Sequence, residues 1–127
     1  SPHLLTGGMW DTLACAARWS RENADVLADA HWIGGDPGAG EVYGFASWSP
    51  RKGIVVLRNP SETPASYDLN LARDFELPRE YLTDYQLESP RPGQRIGSLR
   101  MGANEQKRIE LEPFEVLVFE ATPVARP

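Results

Sequence analysis

The chain has 127 residues, the length of a single domain. It is 41% hydrophobic and 24% charged, and it carries four Trp, four Tyr and four Phe, too much aromatic mass for a disordered segment. Thirteen basic against eighteen acidic residues give a net charge of −5, which argues against nucleic acid or an anionic membrane as a general electrostatic partner.

No apolar run approaches the roughly 20 residues that span a bilayer. Ser1-Pro2-His3 lacks the basic start and apolar run of a secretory leader. Cys15 is the one cysteine, so the chain forms no internal disulfide and no thiolate metal cluster.

The pattern divides the chain into residues 1–40, helix and crossover loop, and residues 41–127, strands and turns. A helix is expected from Gly8 or Met9 to about Asp29, with Thr6 as its cap and Asp11 in its first turn. Trp10, Leu13, Ala17, Ala24 and Leu27 recur at spacings of three, four and seven and form one apolar stripe. Met9, Ala16 and Trp19 add apolar surface to a neighbouring face. The segment Gly34-Gly35-Asp36-Pro37-Gly38-Ala39-Gly40 reads as loop.

Val42 to Trp48 then reads as a strand, with Tyr43 and Phe45 on one face and Val42, Ala46 and Trp48 on the other. Pro50-Arg51-Lys52-Gly53 is a hairpin turn. Ile54-Val55-Val56-Leu57 is apolar on both faces, the mark of a central strand. After a turn at residues 59–64, strands are expected where Tyr67, Leu69 and Leu71 alternate with polar residues, and again at Tyr81, Thr83, Tyr85 and Leu87. Weaker signals follow at Ile96 to Met101 and at Ile109 with Leu111. Val116 to Phe119 closes the set, and the tail from Thr122 is expected to fray. The fold expected is mostly β: an antiparallel sandwich of six to eight strands preceded by one N-terminal α-helix.

Chemistry-bearing patterns are sparse. His3 and His31 are the only histidines. Asp29, His31 and Asp36 lack the spacing of a metal site, so no metal and no cofactor is expected. Cys15 sits among alanines in the helix, where a small buried residue belongs. Ser47 and Ser49 lie outside any nucleophile elbow, and the glycine-rich loop lacks a Walker Lys-Ser/Thr. Asp29 and Asp36 flank a tryptophan-bearing segment and are the carboxylate pair a small glycosidase would use. Trp32, Tyr43 and Trp48 are the aromatics that would stack on sugar rings, with core packing as the competing role.

Several stretches resemble the carboxy-terminal end of bacterial α-galactosidase (melibiase-like) glycoside-hydrolase proteins, some of them called enterotoxins. They are Arg21-Glu22-Asn23-Ala24-Asp25-Val26-Leu27, His31-Trp32-Ile33-Gly34-Gly35-Asp36-Pro37, the run from Glu41 to Gly53, Leu57-Arg58-Asn59-Pro60, and Leu111 to Phe119. The resemblance implies a β-sandwich that follows a (β/α)₈ barrel, with the helix here as the last barrel helix. The barrel and its catalytic carboxylates have no counterpart in this chain, so no catalytic residue carries over.

The expectation is a non-catalytic accessory domain. A carbohydrate-binding module using Trp32, Trp48 and Tyr43 is the main alternative, and a small glycosidase the other. The partner implied is the missing barrel, or a second copy through the stripe Trp10, Leu13, Ala17, Ala24 and Leu27. A glycan is the other candidate ligand, and the resemblance suggests a secreted or periplasmic protein.

Overall fold

The computed structural model describes residues 13–124, with side chains from residue 15. Trp10, the helix start near Gly8 or Met9, Thr6, Asp11, His3 and the side chain of Leu13 lie outside the described residues. Helix α1 (Leu13–Glu22) and the short α2 (Ala24–Leu27) precede eight strands. These are β1 (His31–Gly34), β2 (Tyr43–Trp48), β3 (Gly53–Arg58), β4 (Ala65–Leu69), β5 (Asp84–Glu88), β6 (Ser98–Gly102), β7 (Lys107–Leu111) and β8 (Val116–Pro123). A third short helix, α3 (Leu71–Asp74), follows β4.

All strand pairs are antiparallel. One sheet has the order β1-β2-β3-β8-β5-β6, and the other consists of β4 and β7. The expected mostly-β antiparallel sandwich with a helical start is therefore the observed fold. Its core lies between the two sheets. Ala46, Val55, Leu57, Tyr85, Leu87, Leu117, Phe119 and Ala121 point inward from the large sheet and meet Leu69, Ile109 and Leu111 from the small one. Leu71 and Phe75 seal the gap at one end. The continuous run at residues 54–57 does make β3 central, between β2 and β8.

Four expectations need correction. The segment read as a crossover loop contains β1, which pairs with β2 through Trp32↔Phe45 and Ile33↔Gly44. Four residues ending in a glycine carry too little alternation to register as a strand, and pairing with β2 supplies the order. The helix does not run unbroken to Asp29. It is interrupted at Asn23, whose Nδ2 donates to the Trp19 carbonyl at 2.8 Å, and it ends at Leu27. The alternation through Leu71 stops at Leu69, because Asn70 caps α3 by accepting from the Arg73 N–H at 3.0 Å. Thr122 and Pro123 stay within β8, opposite Gln86 and Tyr85.

The helical segment reaches the outer face of the large sheet through α2, which lies across β2 and β3, and α1 packs against α2. Its buried residues are Cys15, Asn23 and Val26, and beneath it Ser47 and Ile54 are covered although they face away from the core. Of the expected stripe, Ala17 and Leu27 are half-buried and Ala24 is exposed. Arg51, in the β2–β3 turn, clips the helix down with a two-pronged contact to Asp25, at 2.8 and 3.1 Å.

Candidate functional site

Two surfaces stand out at the β1 edge. The first is aromatic. Strand alternation puts Trp32 of β1 on the same outer face as Tyr43 and Phe45 of β2. Gly34 sits opposite Tyr43 and offers no side chain, so Trp32 leans along the strand onto the Tyr43 ring. The two rings stack at 4.9 Å with an 11° interplanar angle, and Phe45 meets Trp32 edge-on at 5.8 Å. Trp32 remains 50% exposed and Phe45 48%, which makes them two of the most solvent-facing large apolar side chains described. Gly34 has φ +90°, and a Cβ there would meet the Val42 carbonyl at 2.6 Å, so only glycine fits.

Trp48 does not join this cluster. It faces the core, edge-on to Tyr81 with ring centroids 4.6 Å apart. The sequence-based trio is thus divided: Trp32 and Tyr43 come together on the outer face, and Trp48 lies on the inner one. Phe45 completes the cluster, and its place on the Tyr43 face of the alternation was the signal for it.

The second surface is a polar cleft of about 800 Å³ between β1 and the corner formed by β4 and α3. Asp74 organises it. This carboxylate is only 4% exposed, and it accepts from the Tyr67 hydroxyl at 3.0 Å, from Arg73 Nε at 2.9 Å and from the Asn70 N–H at 3.3 Å. Burial and the adjacent Asp74 charge push the Tyr67 phenol up to about 12. Arg73 also donates to the Asp68 carbonyl at 2.6 Å, on the open edge of β4.

Across the cleft, His31 Nε2 donates to the Asp74 main-chain carbonyl at 2.7 Å, which ties β1 to α3. His31 Nδ1 is then turned toward Glu76, 3.7 Å from its carboxylate. Sequence reading weighed His31 alone and passed over Tyr67, Arg73, Asp74 and Glu76. The Asn70 cap was the available signal for a helix there. Nothing local in the sequence says that this corner folds against β1.

The carboxylates Asp29 and Asp36 are not brought into the cleft. Asp29 is exposed just after α2. Asp36 Oδ1 accepts from the Gly38 N–H at 2.8 Å and caps a 3₁₀ turn at Pro37–Ala39. Among the described residues no group of three His, Cys, Asp or Glu side chains is placed to hold a metal ion.

No family model matches the chain, and no curated protein matches it. Among solved structures, the chain is similar to a putative α-N-acetylgalactosaminidase from Bacillus halodurans C-125, with 16% identity and a TM-score of 0.47. The similarity covers 66% of this chain and 18% of that one. A match at this level carries no functional argument.

Proposed function

We propose that this chain is a non-catalytic accessory domain of a larger glycoside-hydrolase-like protein, docked against a preceding (β/α)₈ barrel. The observation that carries the reading is the exposed cluster Trp32, Tyr43 and Phe45, on the same sheet face as α2. The resemblance noted above supports it, since the helix then enters from the barrel side.

Half of Trp32 and half of Phe45 together expose about 200 Å² of apolar surface, worth about 5 kcal/mol when fully covered. That is a large fraction of a domain's net stability, so a covering partner gains much. The Trp32–Tyr43 stack favours this over a sugar platform. One indole face is already spent on Tyr43, and the rings do not lie side by side as a flat strip.

The test is the size of the native protein, read with an antibody to this domain in extracts of the source organism. This chain alone has a mass of 14.1 kDa. A band several times larger is expected, and a band at the mass of the chain alone refutes the reading. In the larger protein, Trp32→Ser with Phe45→Ser should lower thermal stability, while the isolated chain should tolerate the pair. A Trp32 fluorescence response to oligosaccharides in the isolated chain would instead favour the carbohydrate-binding module.

A further inference from the structure

We infer that the cleft between β1 and the β4–α3 corner takes up an extended basic segment of a partner protein, which adds to β1 as a further antiparallel strand. The open edge of β1 supplies main-chain hydrogen bonds, and the acidic wall of the cleft selects the charge. This goes beyond the docking role and does not rest on it: docking uses the outer-face rings, and strand addition uses the β1 main chain.

β1 ends the large sheet. The Gly35 N–H donates to the Val42 carbonyl at 2.8 Å, so by the alternation of an antiparallel ladder Gly35, Ile33 and His31 direct their main-chain groups to β2. Trp32 and Gly34 direct theirs the other way, where among the described residues no strand pairs with them. β4 presents an edge to the same cleft. Arg73 Nη2 donates to the Asp68 carbonyl, which marks Asp68 and Ser66 as the β4 residues turned away from β7. All four edge residues line the cleft. Exposed edges are commonly blunted by a lysine, a proline or a bulge, and β1, continuous in register, carries none of these.

Charge identifies the occupant. The lining holds the carboxylates of Glu41, Asp68, Asp74 and Glu76 against the guanidinium of Arg73. Asp74 already pairs with Arg73 at 2.9 Å, so that guanidinium offsets none of the other three. Glu41, Asp68 and Glu76 are all exposed and leave a net negative field beside the open edge. Lysine or arginine on an added strand meets opposite charge there. A second copy of this chain would bring the same carboxylates with it, so like charges oppose pairing of β1 with itself.

Strand geometry sets the partner's sequence pattern. Residues opposite Trp32 and Gly34 in the new ladder turn their side chains to the outer face, beside the half-exposed Trp32 ring. The residues between them turn to the side of His31 and Ile33, into the cleft. The segment that fits is therefore apolar and basic at alternating positions, with affinity from the main chain and specificity from the side chains.

The experiment is an amide-resolved NMR titration of the intact chain with the peptide acetyl-Lys-Val-Lys-Val-Lys-amide. Concentrations run to about 10 mM, where a millimolar Kd nears saturation. Saturable shifts are expected at the Trp32 and Gly34 amides, which gain hydrogen bonds, and at Asp68 and Glu76. Replacing each lysine with glutamate should abolish binding. So should methylating the two valine nitrogens, which removes the donors that face Trp32 and Gly34. Asp68→Asn with Glu76→Gln should weaken binding about threefold or more, and both side chains are exposed, so the fold is kept. The inference is overturned if the basic peptide shifts nothing at β1, if the glutamate peptide binds as tightly, or if the N-methylated peptide does. Equal binding by the double variant also overturns it. So do Trp32 and Gly34 shifts that grow with the concentration of the chain alone, because a second copy then occupies the edge. Each of these results leaves the docking reading intact, and a native band no larger than this chain leaves the strand edge untouched.

Discussion

Asn59 is fully buried in the connection after β3, and one side chain there satisfies several main-chain groups. Its Nδ2 donates to the Thr63 carbonyl at 2.8 Å and the Glu112 carbonyl at 3.0 Å, with Leu111 O more distant at 3.5 Å. Its Oδ1 accepts from the Ser61 N–H at 2.9 Å. The β3–β4 connection and the β7–β8 turn are therefore joined through a single amide. Three good bonds at about 1 kcal/mol each put the cost of Asn59→Ala at about 3 kcal/mol. Water reaching the vacated turn groups would lower this to about 2 kcal/mol, and a dry site would raise it to about 4 kcal/mol.

Asn59→Asp keeps the shape but replaces the donor with an oxygen facing three carbonyls, and adds a buried charge. It should be less stable than the alanine variant at neutral pH. Urea unfolding of the three proteins measures both differences, with unchanged m-values expected. A loss below about 1 kcal/mol for Asn59→Ala would refute the account. So would an aspartate variant as stable as the alanine one, because the donor role would then be wrong.

Three further outcomes follow from the same geometry. A Cβ on Gly53 would lie 2.6 Å from the buried Phe75 ring, so Gly53→Ala should cost about 1–3 kcal/mol, and adding Phe75→Leu should restore part of the thermal stability. Glu115 is held below its ordinary 4.5 mainly by Arg95, which donates to it at 2.6 and 2.9 Å. A depressed carboxylate stabilises above its unfolded pKa, so the stability gap between parent and Arg95→Ala should be full above pH 4.5 and should close as the pH falls further. A gap independent of pH would contradict that charge argument. Tyr67, raised from 10.0 to about 12, stabilises below pH 10.0, and that contribution is lost as the pH climbs between the two values. In a phenolate absorbance titration, Tyr67→Phe should remove amplitude only at the alkaline end.

The sequence alone determined the fold class, because burial on one face imposes a period of two that needs no distant information. Tyr43 and Phe45 against Ala46 and Trp48 already assign the two faces of β2, and the β-branched run at residues 54–57 already marks a central strand. The aromatic cluster was half legible for the same reason: alternation separates Tyr43 from Trp48, while placing Trp32 beside Tyr43 requires knowing that β1 exists.

The cleft was not legible. His31 and Asp74 are 43 residues apart, and their hydrogen bond exists only because β1 joins the sheet edge and α3 turns back toward it. The helix posed the same problem. A heptad-like stripe states which residues are apolar, but the face that is buried depends on the surface offered. Here that surface is Ser47 and Ile54 on the back of β2 and β3, where α2 lies with Val26 buried and Ala24 exposed. Local periodicity sets elements because neighbours in sequence share one backbone geometry. Which elements meet is decided by packing among residues far apart in the chain, and the site residues belong to that second kind of information.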